Sequence, residues 1–414
     1  MTEKDLDQSL RRVLGVRFRL GEFDPPEMVP YSKIAPSVID SASHRELALR
    51  TARESIVLLT NTDQFLPLDK NRIRTIAVIG PHANRELTGI GYTGLASKFV
   101  KPIDGIRNKV APGTKVLYAR GSGILESDNE EASYTEAVAI AKRADVAILF
   151  VGTGQLLEGE GRDRMYINLP PIQQQLVRRV YAANPKTVVV LLNGGPVSLS
   201  SPAGGGLGGG NPINVPAVVE MFFAGEEGGT AIADVLFGDY NPAGRLPYTV
   251  YRSAADLPPM GEYDITKGFT YMYFDGKPEY PFGHGLSYTT FHYANLDIKP
   301  KEIPGNGQLT IRVTVENTGK RTGDEVAQLY IHDLQTKIRR PKRELRGFER
   351  VTLQPAEKKT VTFSVAAEKL AVYDESKKAF SVQPGAFEAL AGISSEEIRA
   401  NGRFRVTTPG EWPK

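Results

Sequence analysis

The chain has 414 residues, a formal net charge of +3 and no cysteine. Disulfides, thiolate nucleophiles and cysteine metal sites are therefore excluded, and the slight positive balance, with no long basic run, gives no argument for nucleic acid. A chain of this length accommodates two or three domains with ample cores, and no apolar stretch approaches membrane-spanning length.

The N-terminal stretch MTEKDLDQSLRRVLG lacks the apolar region of a signal peptide, which leaves the compartment open. Leu6, Leu10, Val13, Leu14 and Phe18 recur at helical spacing, and the extended segment from Asp24 to Pro36 offers such a helix little cover. The spacing predicts a second helix over Ser43–Leu58, with Ser43 as its N-cap. From Thr75 onward strands and helices alternate: the strand Thr75–Gly80, the strand KVLYAR, the helix Ala132–Arg143, the strand Val146–Val151, a helix after Pro170 and the strand KTVVVLLNG. The strand Ala217–Ala224 and the helix Gly228–Phe237 follow. Such alternation predicts a mostly parallel sheet with helices on both faces. GPHANRELTGIG lacks the G-x-G-x-x-G order and the lysine of a phosphate loop, so no nucleotide cofactor is expected. The low-complexity tract Ser198–Gly210 is expected to be a mobile loop.

The stretch after Val151 concentrates charge. A polar loop holds Glu158, Glu160, Arg162, Asp163 and Arg164, and a helix opened by proline follows, with Leu176, Val177 and Val180 as its apolar positions. In open α/β sheets ligands are met just past the carboxyl ends of strands. The plainer reading is an exposed loop whose ion pairs contribute little. The histidines His44, His82, His284, His292 and His332 are scattered without metal-ligand spacing, so no metal is expected.

Beyond a Tyr-, Phe- and Gly-rich stretch over Met260–Phe291 the periodicity changes. LTIRVTVENTG, EVAQLYIHD, KKTVTFSV, LAVYD and GAFEALAGIS read as short alternating strands of an antiparallel β-sandwich. Glu226 and Glu227 precede a helix, where carboxylates suit the positive end, so capping is the expected role. Tyr271, Tyr273 and Phe274 offer either a sugar-stacking platform or core, and His284 between two glycines is expected to order the junction between the two domains.

TIAVIGP, RESIVLLTN, AGEEGGTAIADVLFGDYNPAGRLPYT, YPFGHGLSYTTF and VENTGKRTGDEVAQLYI together resemble the C-terminal two-thirds of family 3 glycoside hydrolases. The resemblance implies a multidomain α/β plus all-β architecture, an α/β sandwich with a mostly parallel sheet followed by a fibronectin type III-like β-sandwich. It divides the chain into a connector over 1–42, the α/β sandwich over 43–285 and the fibronectin type III-like part over 286–414. It also implies a retaining β-xylosidase or β-glucosidase acting on β-linked oligosaccharides or aryl glycosides, and family members are often periplasmic or secreted. In that family the loop resembling LLEGEGRDR supplies the acid/base glutamate, while an N-terminal barrel supplies an aspartate nucleophile. No segment here corresponds to that barrel, and SSPAGGGLGGG stands where bulkier residues are usual.

Retaining glycosidases need two carboxyl groups about 5–5.5 Å apart, flanking the bond. Glu158 and Glu160 share one short loop and would stand on the same side of a substrate. The nucleophile is thus expected to be absent from the chain, which is read either as truncated from a barrel-bearing enzyme or as completed by a separate barrel-bearing partner chain. Glu158 is the first choice as acid/base because it begins the E-x-E pattern, with Glu160 as the alternative. Asp163 and Arg164 are expected either to bind substrate hydroxyls or to brace the loop. A non-catalytic carbohydrate-binding or scaffolding remnant is the alternative reading of the whole.

Overall fold

The computed structural model describes residues 2–86, 97–126, 128–154, 157–161, 164–200, 213–335 and 339–413. Arg162, Asp163 and the glycine-rich tract after Ser200, where the mobile loop is expected, lie outside the described residues. Two compact units divide the chain, 1–47 and 48–414.

The first unit opens with helix α1 (Glu3–Arg19). The Thr2 hydroxyl accepts the Asp5 amide at 3.3 Å and the Asp5 carboxylate accepts the Thr2 amide at 2.7 Å, a reciprocal capping box. The helical spacing of the apolar residues is real, yet none of them is buried. Three short turns, each opened by a proline, lead from Pro26 to Val38.

Helix α2 (Ala42–Ser55) ends three residues before the expected Leu58, because Val57–Asn61 forms strand β1 instead. Val57, Leu58 and Leu59 are buried, and the strand pairs antiparallel with the sheet's last strand in chain order, across a bulge at Leu59. Then come β2 (Thr75–Ile79), α3 (Pro102–Lys109), β3 (Lys115–Ala119), α4 (Glu130–Lys142), β4 (Val146–Gly152), α5 (Pro171–Ala183), β5 (Thr187–Leu192), β6 (Ala217–Glu220) and α6 (Gly228–Leu236). The sheet runs in the order β1-β6-β5-β4-β2-β3, parallel apart from β1.

Strand alternation explains the layers. Ala77, Ile79, Ala147, Leu149, Val151, Val189 and Leu191 pack with α4 and α5, through Ala137, Ile140, Leu176, Val177 and Val180. Their neighbours Ile76, Val78, Ile148, Phe150, Val188 and Val190 pack with α3 and α6, through Ile103, Ile106, Ile232 and Val235. Both faces of each central strand are therefore covered, which is why these strands read as continuous apolar runs. Helices α3 and α6 touch backbone to backbone: a Cβ on Gly105 would stand 1.8 Å from the Gly229 carbonyl oxygen.

The short helix α7 (Thr270–Tyr273) precedes the β-sandwich. Its strands are β7 (Phe291–Lys299), β8 (Glu302–Ile303), β9 (Gln308–Asn317), β10 (Gly323–Asp333), β11 (Glu344–Leu353), β12 (Lys358–Ala366), β13 (Val372–Asp374), β14 (Ala379–Val382), β15 (Gly385–Gly392), β16 (Ile398–Val406) and β17 (Gly410–Pro413). A sheet of order β11-β10-β15-β16-β8 faces one of order β12-β9-β7, and β13-β14-β17 form a small third sheet. Ile311, Val313 and Val315 of β9 share the interior with Leu329, Ile331, Phe387 and Ala389.

Tyr271 and Phe274 are taken up by packing. Tyr271 stacks on Phe282 with centroids 4.3 Å apart and meets Tyr330 edge-on, while Phe274 lies edge-on to Tyr251. These rings therefore offer no open sugar-stacking platform. His284 Nε2 lies 2.9 Å from the Leu59 carbonyl oxygen and the ring stacks on Tyr280, so it ties the approach to the sandwich back to β1. Glu227 stands at the N-cap of α6, but its carboxylate takes the Thr230 hydroxyl at 2.6 Å and makes no capping bond to the helix amides. No helix among the described residues is long and apolar enough to cross a membrane.

Candidate active site

The candidate loop leaves the carboxyl end of β4, beside the carboxyl end of β5. The order β3-β2-β4-β5 places the topological switch between β2 and β4, where crevices open in such sheets. Gly154 starts a tight turn: its carbonyl accepts the amides of Leu157 and Glu158 at 2.8 and 3.0 Å. This turn directs the Glu158 side chain inward, toward the segment following β5.

There the carboxylate is held on three sides. Oε2 accepts the Gly194 amide at 2.8 Å and Oε1 accepts the Gly195 amide at 3.0 Å. The Arg164 guanidinium stands 3.5 Å from Oε1 and donates to the Pro196 carbonyl at 2.9 Å. Glu158 retains 8% of its accessible surface. A side chain opposite it would be crowded: a Cβ on Gly194 would lie 3.2 Å from Glu158 Oε2, and one on Gly195 would lie 3.1 Å from Arg164 Nη2. Burial draws the Arg164 guanidinium below its ordinary value, with the charge of Glu158 opposing.

A second carboxyl lies behind the first. Glu220, at the end of β6, accepts the Asn193 side-chain amide at 2.9 Å and the Phe222 amide at 2.9 Å. Burial pushes its carboxyl up to about 8 against those two hydrogen bonds, and the charge of Glu158 adds to the rise. Tyr248 lies close to both, its hydroxyl raised by burial first and then by Glu220 and Glu158.

Glu160 differs in burial. It is exposed, two positions past Glu158, between Gly159 and Gly161. Gly161 has φ +72° and open space where a Cβ would stand. Glu158, by contrast, is buried, and the amides it accepts sit more than thirty residues along the chain. Arg164 is drawn into the clamp on Glu158, and Asp163 lies outside the described residues. Sequence reasoning missed Asn193, Gly194, Gly195 and Glu220. The signal available for the first three was the pair of glycines closing the apolar run LLNGG.

Comparison with known proteins matches residues 56–288 to the glycosyl hydrolase family 3 C-terminal domain and residues 325–395 to a fibronectin type III-like domain. A periplasmic β-glucosidase of Salmonella typhimurium is 36% identical over 445 aligned positions, which cover 98% of this chain and 56% of that protein. A β-xylosidase of Formosa agariphila is 36% identical, covering 95% of this chain and 54% of its own length. Among solved structures, a GH3 exo-β-xylosidase in complex with a xylobiose aziridine probe superposes with a TM-score of 0.85 at 30% identity, over all of this chain and 55% of that one. A GH3 β-glucosidase of Bifidobacterium adolescentis gives a TM-score of 0.81 at 31% identity, over 91% of this chain and 55% of that one. The chain spans about half the length of the curated relatives it matches. With a parallel α/β sheet followed by a β-sandwich, and with relatives named β-glucosidase and β-xylosidase over nearly its whole length, the chain belongs to glycoside hydrolase family 3.

Proposed function

We propose that this chain is the acid-bearing part of a retaining β-glycosidase acting on β-linked glucosides or xylosides, and that Glu160 is its acid/base. The observation that carries the assignment is the bonding of Glu158. Its oxygens each accept a backbone amide and one faces a guanidinium, so both oxygens are engaged and its side chain points inward. A general acid must reach a leaving oxygen in a substrate pose. Glu160, the alternative of the E-x-E pair, is the carboxyl on the solvent side of the loop. The first choice, Glu158, becomes the residue that fastens the loop, with Arg164 as its brace.

A glutamate on this loop supplies one of the two carboxyl groups that retention requires, about 5–5.5 Å from the other. The nucleophile belongs to a barrel that these residues do not include. Exposed apolar side chains fit a surface that such a barrel would cover: Met165 and Tyr166 beside the loop are 78% and 43% exposed. In the first unit, the apolar stripe of α1 is likewise open, with Phe18 64% exposed.

The test is made in an enzyme that joins this chain to a barrel. Glu160→Gln is expected to slow glycosides with poor leaving groups by roughly 10²–10⁴-fold, the usual contribution of a general acid, and to slow activated aryl glycosides far less. If Glu158→Gln gives that pattern and Glu160→Gln does not, the assignment is overturned.

A further inference from the structure

Asn193 joins two buried carboxyl groups. Its side-chain amide donates to Glu220 Oε2 at 2.9 Å and to the Gly195 carbonyl at 2.9 Å. The two backbone amides that follow it, those of Gly194 and Gly195, donate to Glu158. The turn Asn193–Gly195 is thus bonded to Glu220 on one side and to Glu158 on the other. Glu220 is 2% exposed, ends β6, and has its second oxygen fixed by the Phe222 amide.

We propose that Glu220 is a positioning residue for the acid: through Asn193 it fixes the turn whose amides hold Glu158, and with it the loop that carries Glu160. The proposal rests on the reading of Glu160 as the acid. Its physical content concerns charge. The groups facing Glu220 are Glu158 from the loop after β4, Asn193 from the segment after β5, and Tyr248 from the segment after α6; Arg164 lies beyond Glu158. While Glu220 is neutral, the cluster holds one carboxylate and one guanidinium. Once Glu220 ionises, two buried carboxylates share the turn Asn193–Gly195 with one guanidinium beside them. Burial places that ionisation at about 8. Repulsion across Asn193 then pulls on the amides that Glu158 accepts, and the loop loosens.

The experiment is hydrogen exchange on the 414-residue chain, read at the Gly194 and Gly195 amides and corrected for the intrinsic pH dependence of exchange. In the wild type, protection should stay level through neutral pH and fall by about tenfold or more over the next pH units as Glu220 ionises. Glu220→Gln keeps a neutral side chain at every pH and should abolish that fall. A level wild-type profile through about pH 9, which needs no variant, would overturn the proposal. So would a fall of the same size and midpoint in Glu220→Gln. The readout does not pass through catalysis, so a failure of the Glu160 assignment would leave it in place, and the two readings fail separately.

Discussion

Arg245 Nη2 meets Glu325 Oε2 at 3.0 Å, joining the segment after α6 to strand β10 with side chains 9% and 2% exposed. Arg245 Nη1 also donates to the Ala243 and Gly244 carbonyls, and the Tyr293 hydroxyl donates to the other oxygen of Glu325 at 2.8 Å. Removing one partner leaves an uncompensated buried charge. Glu325→Leu should therefore destabilise the chain by about 3–5 kcal/mol, read as a lowered urea midpoint, while the double change Arg245→Met with Glu325→Leu should recover most of the loss. A single variant with an unchanged midpoint would show that this pair does not join the α/β part to the sandwich energetically.

Two glycines in helices should respond in opposite directions. Gly105 in α3 has no room, since its Cβ would strike the Gly229 carbonyl, and α3 and α6 would have to separate. Gly105→Ala should cost at least about 1–3 kcal/mol, the usual penalty of overpacking. Gly15 lies within α1 with nothing within 4 Å of its Cβ position. Gly15→Ala should raise helix stability by roughly 0.5–1 kcal/mol. Circular dichroism on thermal unfolding checks both signs.

His82 gives a pH dependence. Burial, followed by the charge of Arg85, lowers its imidazole from 6.5 to about 4. The unfolded chain binds the proton more readily, so stability rises with pH across that interval. The contribution is fully present above about 6.5 and is lost as pH falls through about 4. Melting temperatures measured down through that interval should fall in the wild type. They should fall less in His82→Gln, once the loss common to both proteins is subtracted. Parallel curves would show that His82 does not carry the effect.

The parallel strands were legible because each is buried on both faces, so that Val146–Gly152 and Thr187–Leu192 appear as unbroken apolar runs. Strand β1 was not, because only Ile56 separates it from α2 and an apolar run that short fits a helix as well as a strand. Helix α3 escaped notice with only Ile103 and Ile106 to mark its buried face, and β11 because it is a largely polar edge strand with Phe348 exposed. The charged loop itself was legible from its composition and its place after β4. What separates Glu158 from Glu160 is a tertiary contact with Gly194 and Gly195, which no local spacing encodes.

That contact yields a prediction for Glu158 distinct from the one for Glu160. Glu158→Gln keeps the shape but replaces one accepting oxygen with an NH₂ group, which must then face a backbone amide or the Arg164 guanidinium, both donors. One buried donor is left unsatisfied and the guanidinium loses its counter-charge, at a cost of about 1–3 kcal/mol. The loss should appear as a lower melting temperature of the chain alone, with faster exchange at the Gly194 and Gly195 amides. In an enzyme completed by a barrel, the same change displaces the loop for every substrate alike. Rates on good and poor leaving groups should then fall by similar factors, whereas Glu160→Gln separates them. Glu158→Asp, which restores the charge one methylene short, should recover part of the stability and part of the rate together. Recovery of stability without rate would mean that Glu158 acts on the substrate directly, and would return the acid role to it.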